Sequence, residues 1–204
     1  MIVPQQTANL ARIAEVVARG GVIAFLTDTF YGLGADPFNS SAVQKIKDLK
    51  GREENKPILV LVSDIELSDR LIEQRSNAFH QLAKQFWPGA LTIIGEAKAE
   101  LPTELTAGTK TVGVRLPDDD RVRALVRACG GALTATSANA AGQPPARTAD
   151  DVANYFGERV DLIVDGGVAK TDQPSTVVDA SGGELQLIRE GVIKWNEILQ
   201  SRQL

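Results

Sequence analysis

The order of apolar and polar residues along the chain predicts strands and helices that intermix. Apolar runs of strand length are typical of strands buried on both faces, and they predict strands at 22–26, 58–62, 91–94, 111–115, 132–136 and 162–164. Apolar residues at helical spacing predict helices over 8–19, 40–50, 76–86, 119–128 and 148–156. Residues 176–178 and 185–188 form a predicted hairpin that turns at Gly182-Gly183.

Capping residues support several of these helices. Thr7 is expected to cap the first helix, which Gly20-Gly21 ends, and Thr148 with Asp151 forms a capping box. We expect the segment Trp195 to Leu204 to be a closing helix rather than a lid. Buried strands mixed with helices and one hairpin predict an α/β fold with a single twisted, mixed parallel and antiparallel sheet. Since no repeat or linker interrupts the pattern, we expect one domain over residues 1–204.

Composition narrows the class of protein. The chain has 204 residues, of which 43% are hydrophobic and 24% charged, close to the average for a globular protein. No apolar run reaches the roughly 18 residues that cross a bilayer, and the N-terminal residues lack the pattern of a secretory signal. The one cysteine, Cys129, cannot form an intrachain disulfide. We therefore expect a cytoplasmic protein.

Charge and the rare residues exclude some chemistries. The net charge of −4 weighs against a protein whose main task is to coat nucleic acid, so a bound anion should be small and held by a local group of cations. One histidine and one cysteine exclude a Cys/His zinc cluster. His80 falls off the apolar stripe of its helix and is expected at the surface. Cys129 is expected to pack as a small apolar group at a helix end.

Polar segments beside the predicted strands are the candidates for chemistry. Residues 27–34 contain G-x-G but lack the third glycine of the dinucleotide fingerprint, and the chain holds no P-loop motif. By itself, this segment is typical of a strand-to-helix turn. Residues 50–57 place Lys50, Arg52 and Lys56 around a chain reversal. These cations form either an anion-binding loop or a solvated charged loop.

Two further segments lie on predicted strands. Alternation puts Thr111, Gly113 and Arg115 on one face, and an arginine on an otherwise apolar strand requires an anionic partner. That partner is either a structural carboxylate or a ligand. Residues 134–145 are rich in small and hydroxyl side chains, which let a ligand approach the backbone closely. Ser137 is a weak candidate nucleophile because no G-x-S-x-G elbow surrounds it.

Seven short motifs in one order resemble a known family. They are Thr-Asp-Thr-x-Tyr-Gly-Leu-Gly, Lys-x-Arg with Lys-Pro, Trp-Pro-Gly, Val-x-Val-Arg-x-Pro, Ser-Ala-Asn-x-x-Gly, Ser-Thr-Val-Val-Asp and Ile-Arg-Glu-Gly. The order resembles the YrdC-type threonylcarbamoyl-AMP synthases over about residues 8–193, in their short, single-domain form. This chain has Leu26 where the family usually has a proline before Thr-Asp-Thr, and this difference affects only the start of the turn. Leu61 stands where long forms often place a histidine, which puts one threonine contact in doubt.

The resemblance implies a specific reaction and fold. L-threonine, bicarbonate or CO2, and ATP with Mg²⁺ would give threonylcarbamoyl-AMP and pyrophosphate. Separate proteins would then transfer the threonylcarbamoyl group to tRNA, with at most a weak direct tRNA contact. The fold would enclose a concave cationic cavity, and Mg²⁺ would be held mainly by the ATP phosphates rather than by protein ligands.

The resemblance also implies which residues form the site, since each one occupies a position of a family motif. The threonine-binding positions are Thr29, Arg115, Ser175 and, through its backbone, Ala135. The ATP-binding positions are Arg52, Lys56, Thr111, Ser137, Asn139, Pro145 and Arg189. The catalytic positions are Lys50 and Arg52. Two anions must meet in this reaction, so fixed positive charge is what the chemistry needs. Asp28 is a candidate general base, although a turn-stabilising role is the stronger interpretation.

Two other functions remain open from the sequence. The cationic cavity of a structured-RNA-binding module would grip phosphates without catalysis, although net charge and the lack of an aromatic platform count against it. Related domains make carbamoyl-adenylate from carbamoyl phosphate for hydrogenase maturation. Those domains usually sit in longer, zinc-containing chains.

Overall fold

The computed structural model describes residues 1–6, 9–51 and 56–201. Its strands are β1 (Ile2–Pro4), β2 (Ile23–Leu26), β3 (Tyr31–Gly34), β4 (Val60–Val62), β5 (Leu91–Glu96), β6 (Thr111–Arg115), β7 (Ala132–Thr134), β8 (Thr136–Ser137), β9 (Leu162–Asp165), β10 (Thr176–Asp179) and β11 (Gln186–Arg189). Its helices are α1 (Leu10–Ala18), α2 (Ser40–Lys50), α3 (Asn77–Phe86), α4 (Thr103–Thr106), α5 (Asp120–Ala128), α6 (Ala149–Phe156) and α7 (Trp195–Gln200). 3-10 helices cover Glu66–Arg70 and Gly157–Arg159.

The strands form two mixed sheets. The first sheet has the order β1-β9-β2-β3-β8, and the second has the order β11-β10-β5-β6-β4-β7. Parallel pairs occur in both, for example β2 with β9 and β10 with β5, next to antiparallel pairs such as β2 with β3 and β5 with β6. The predicted α/β class and mixed strand directions are confirmed. The expectation of one sheet is wrong.

The predicted strand 132–136 explains part of that difference. β7 pairs with β4 in the second sheet, whereas β8 pairs with β3 in the first. Ala135 lies between them, and its amide donates to the carbonyl of Leu59 at 2.9 Å. The chain therefore passes from one sheet to the other within a few residues. This crossing places the backbone of Ala135 to Ser137 at the junction of the two sheets.

The segment 27–34 is the loop and second strand of a hairpin with β2, not a strand-to-helix turn. Residues 31–34 form β3, which pairs antiparallel with β2 in the register Leu26 with Tyr31 and Ile23 with Gly34. A Cβ on Gly34 would lie 2.7 Å from the Phe25 ring and 3.0 Å from Leu133, so this glycine serves close packing of the sheet. Residues 27–30 are left as the connecting loop, which carries the Thr-Asp-Thr motif.

The helices largely follow their predictions. α2 has the predicted bounds and is capped by Asn39, α3 by Ser76, and α6 by the predicted capping box of Thr148 and Asp151. The expected cap Thr7 lies outside the described residues. α7 buries Ile198 completely, as expected of a closing helix. β1 and α4, with three and four residues, were not predicted because each is too short to show a periodic pattern.

The rare residues lie where the sequence predicts. His80 is exposed. Cys129 caps the C-terminus of α5 and packs half-buried against an apolar cluster, and this burial raises the pKa of its thiol to about 12. In the part of the chain that the structure describes, none of the helices combines the length and apolar character that a membrane span requires.

Candidate functional site

A cavity of about 840 Å³ opens between the two sheets. The first sheet contributes its wall at β3 and β8, and the second contributes β4, β5, β6, β10 and β11. Part of the wall is apolar, formed by Phe30, Ile58, Leu59, Leu61, Ile94 and Val177. Leu61 is thus a wall residue, whereas Leu26 is not part of the wall.

Most of the predicted site residues meet in this cavity. Nine of them line it: Thr29, Lys50, Lys56, Arg115, Ala135, Ser137, Pro145, Ser175 and Arg189. Asn139 is not in the wall but contacts Lys50 and Ser137. Thr111 also lies outside it, at the far end of β6 from Arg115; four residues of strand span about 13 Å. Arg52 lies outside the described residues. The individual roles of all these residues stay predictions.

Basic side chains dominate the charged part of the wall. Among the described residues, the cations are Lys47, Lys50, Lys56, Arg115 and Arg189, and the one carboxylate is Asp172. A cavity with low-dielectric walls strengthens the field of such charges. This arrangement suits a small, multiply charged anion.

Arg115 is the most deeply buried of these cations. It ends β6 with 3% of its side chain exposed, and its Nη2 donates to the carboxylate of Asp28. Its Nε is buried and has no hydrogen-bond partner among the described residues. Burial, and secondly the nearby charge of Arg189, lowers the pKa of Arg115 to about 9. The guanidinium therefore has a structural carboxylate and still lacks one acceptor.

Asp28 is occupied on both oxygens. Oδ1 accepts from Arg115, and Oδ2 accepts from the amide of Asp118 at 3.3 Å. A carboxylate held by an arginine and a loop amide is a poor proton acceptor. These contacts favour the structural role that the sequence analysis preferred for Asp28 over that of a general base.

Hydroxyl groups gather around a second arginine. Arg189 donates from Nε and Nη2 to the carbonyl of Ser175 at 3.2 and 3.0 Å, and from Nη2 to its Oγ at 3.2 Å. The Ser175 hydroxyl in turn lies 3.1 Å from the Thr92 hydroxyl. The confirmed hairpin of β10 and β11 creates these contacts, because it folds Arg189 back beside the start of β10. The residue predicted to bind threonine thus adjoins one predicted to bind the nucleotide.

Thr29 is fixed by its neighbour in the connecting loop. The Thr27 hydroxyl donates to the carbonyl of Phe30 at 2.8 Å and accepts from the amide of Thr29 at 3.1 Å. The two threonine hydroxyls lie 3.1 Å apart and both residues are buried. The loop therefore presents a rigid pair of hydroxyls to the cavity.

Lys50 joins α2 to the segment that crosses between the sheets. Its ammonium donates to the carbonyl of Ser137 at 2.7 Å, to the side-chain oxygen of Asn139 at 3.2 Å and to the carbonyl of Asn139 at 3.4 Å. The Ser137 hydroxyl also donates to Asn139 Oδ1 at 2.6 Å. The Lys-x-Arg and Ser-x-Asn motifs thus meet through Lys50, although they are almost ninety residues apart.

Three polar wall residues lie outside the candidate segments of the sequence analysis. They are Lys47, Thr92 and Asp172. Thr92 had a signal, because it is a polar residue inside an apolar strand. Lys47 fits the helical spacing of the buried face of α2 beside Val43 and Ile46, and Asp172 lies in a loop with no pattern. Within the described ranges, no three His, Cys, Asp or Glu side chains are grouped so that they could hold a metal ion.

Comparisons with known proteins agree with this geometry. A family model described as telomere recombination, for the Sua5/YciO/YrdC domain, matches residues 15–191. The threonylcarbamoyl-AMP synthase of Bacillus subtilis is 38% identical over 191 residues, which are 93% of this chain and 55% of that protein. The protein of the same name from Marinobacter nauticus is 35% identical over 86% of this chain and 93% of its own.

A solved structure shares the fold closely. The crystal structure of Pyrococcus abyssi Sua5 complexed with L-threonine superposes with a TM-score of 0.94 at 30% identity, over 98% of this chain and 60% of that one. The chain thus spans little more than half of the Bacillus and Pyrococcus proteins and almost the whole length of the Marinobacter protein. Since the family model covers most of its residues, this chain belongs to the Sua5/YciO/YrdC family.

Proposed function

We propose that this protein is an L-threonylcarbamoyladenylate synthase, which converts L-threonine, bicarbonate or CO2, and ATP into threonylcarbamoyl-AMP and pyrophosphate. The observation that carries the proposal is one cavity lined both by the buried Arg115, whose Nε has no hydrogen-bond partner among the described residues, and by Lys50 and Ser137, which bond to each other and to Asn139. The names of its relatives in Bacillus and Marinobacter, and the threonine complex of the Pyrococcus protein, support the same reaction.

The amino-acid end of the cavity would be formed by Arg115, Thr29 and Ser175. Arg115, which lines the cavity, would bind the threonine carboxylate, since a guanidinium pairs with a carboxylate through directional hydrogen bonds. The buried hydroxyls of Thr29 and Ser175 would bind the substrate hydroxyl. A site built to hydrogen-bond a hydroxyl rejects analogues without it, because its own polar groups would be left unpaired. The backbone of Ala135, at the crossing between the sheets, would complete this end.

The nucleotide end would be formed by Lys50, Lys56 and Arg189 with the Ser137–Asn139 segment and Pro145. The carbamate of threonine attacks the α-phosphorus of ATP and pyrophosphate leaves, so two anions must approach each other. Cations fixed before the substrates bind stabilise the charge of that transition state. Mg²⁺ bound to the ATP phosphates would supply further positive charge.

The product implies further partners. A mixed anhydride of AMP is an activated acyl donor, so separate transfer proteins would pass the threonylcarbamoyl group to the adenosine next to the tRNA anticodon. The net charge of −4 weighs against a strong direct tRNA contact of this chain, so any such contact would be weak.

The test is ATP–pyrophosphate exchange with purified protein. Exchange should require both L-threonine and bicarbonate, and mass spectrometry should detect threonylcarbamoyl-AMP. Lys50→Ala and Arg52→Ala should reduce exchange sharply, whereas Lys45→Ala should not, because Lys45 lies in the middle of the same helix and outside the cavity wall. Exchange that proceeds equally well without threonine would refute the substrate assignment.

A further inference from the structure

We propose that Asp28 is a positioning residue for the amino-acid substrate: it fixes the Arg115 guanidinium so that the substrate carboxylate meets an oriented donor. The inference rests on the proposed function and goes beyond it, because Asp28 is not part of the cavity wall. It lies behind Arg115, in the loop that connects β2 to β3. It would act on the substrate only through the arginine.

Asp28 is itself held firmly enough for that role. Its side chain is 12% exposed, and its two oxygens accept from different parts of the chain, Arg115 on β6 and the amide of Asp118 before α5. The loop on which it sits is closed by the Thr27 hydroxyl, which bonds to both Thr29 and Phe30. The carboxylate therefore connects the first sheet to the second and has little freedom to follow a moving arginine.

Arg115 needs such a counterion before substrate arrives. It is almost fully buried, and the like charge of Arg189 acts on it. A buried cation next to another cation turns toward solvent or loses its proton unless a fixed anion opposes both effects. Asp28 supplies that anion on one nitrogen of the guanidinium and leaves Nε without a partner. The substrate carboxylate then binds an arginine that is already charged and oriented.

The alternative role for Asp28, simple charge compensation, predicts the opposite change in threonine binding. If Asp28 only neutralised Arg115, it would compete with the substrate carboxylate, and its removal would tighten threonine binding. The direction of the change therefore separates positioning from simple charge compensation.

The experiment measures L-threonine binding by titration calorimetry without ATP, and then KM and kcat in the complete reaction. We expect Asp28→Asn to weaken threonine binding and raise the KM for threonine by roughly 10- to 100-fold, by analogy with the cost of losing a residue that orients a metal-binding side chain. The KM for ATP should change by less than about twofold, since the hydrogen bonds of Asp28 within the described residues go to Arg115 and Asp118 rather than to the proposed nucleotide end. A general loss of structure would instead alter both KM values.

The matched control is Asp161→Asn. Asp161 also accepts a long-range hydrogen bond, from the amide of Val22 at 2.7 Å, but lies away from the cavity. The Asp161→Asn substitution should leave threonine binding unchanged. If Asp28→Asn does not fold, Asp28→Glu keeps the charge, moves it by one methylene and should still weaken threonine binding several-fold.

Three results would overturn the inference. Equal or tighter threonine binding by the folded Asp28 variant would refute positioning while leaving the proposed function intact. An equal rise in the KM for ATP would assign Asp28 a merely structural role. Absence of threonine binding by the unaltered protein would refute the proposed function and this inference together.

Discussion

Replacing Lys50 by methionine tests whether this lysine holds the two halves of the site together. Methionine keeps an unbranched chain of similar length and removes only the ammonium. In the structure that ammonium, on a side chain 8% exposed, donates to Ser137 and Asn139. The substitution therefore leaves oxygens at the crossing between the sheets without their donor.

The size of the effect follows from those bonds. A hydrogen bond from a charged donor contributes about 1.5–3 kcal/mol, and the bonds of Lys50 to the Ser137 carbonyl and to Asn139 Oδ1 have good lengths, 2.7 and 3.2 Å. Relief from burying an ammonium offsets part of their sum. We expect a net loss of about 2–4 kcal/mol in the free energy of unfolding, which for a chain of this size lowers Tm by about 4–16 °C.

Urea unfolding and ATP–pyrophosphate exchange measure the two consequences. Lys50→Met should lose stability and raise the KM for ATP, because the Ser137–Asn139 segment moves. Lys45→Met is the control: Lys45 lies on the same helix, is exposed and donates one bond to the carbonyl of Gly20 at 2.9 Å, so its loss should cost about 1 kcal/mol or less and leave exchange unchanged. If Lys50→Met abolished exchange with stability unchanged within about 0.5 kcal/mol, Lys50 would contact substrate without holding the site together.

Three further predictions follow from single contacts. Tyr31→Phe removes a buried hydroxyl that donates to the carbonyl of Gly167 at 2.8 Å, and should lower the free energy of unfolding by about 1–3 kcal/mol in urea titrations. Gly34→Ala should cost about 1–3 kcal/mol by overpacking, whereas Gly182→Ala, in open space, should cost almost nothing. Because burial lowers the pKa of Arg115 and an anion binds only the protonated guanidinium, threonine affinity should fall at alkaline pH. In Arg115→Lys the fall should begin at lower pH, since lysine starts from a lower pKa, about 10.4.

Local patterns predicted the helices well and the sheets only in part. α2 has the predicted bounds because a capping asparagine and Gly51 at φ 76° mark its ends. Apolar runs such as 22–26 and 132–136 locate strands but carry no information about their partners. The division into two sheets depends on pairings such as β3 with β8, whose residues lie about a hundred positions apart. Strand β3 was also not predicted, because glycines in a sequence are typical of turns and the packing that they serve here is visible only in the structure.

The site was predictable where a residue breaks its local pattern. Arg115 stands out as a charge on an apolar strand, and the structure gives it the required carboxylate, Asp28. The family motifs brought in Ser175 and Arg189, which local patterns alone would have missed. Asp172 joins the wall from a loop whose path depends on the packing of both sheets. No spacing along the chain encodes that position.

The partners of the two arginines indicate where the positive field of the cavity is strongest. Arg115 is paired with a carboxylate, so the pair has little net charge and its remaining donor capacity is directional. Arg189 donates to the carbonyl and hydroxyl of Ser175, neutral groups that orient it without cancelling its charge. An anion with several charges therefore gains most beside Arg189, whereas a single carboxylate is oriented by the directional donors of Arg115. Under the proposed function, this difference would place the triphosphate near Arg189 and the carboxylate of the amino acid near Arg115.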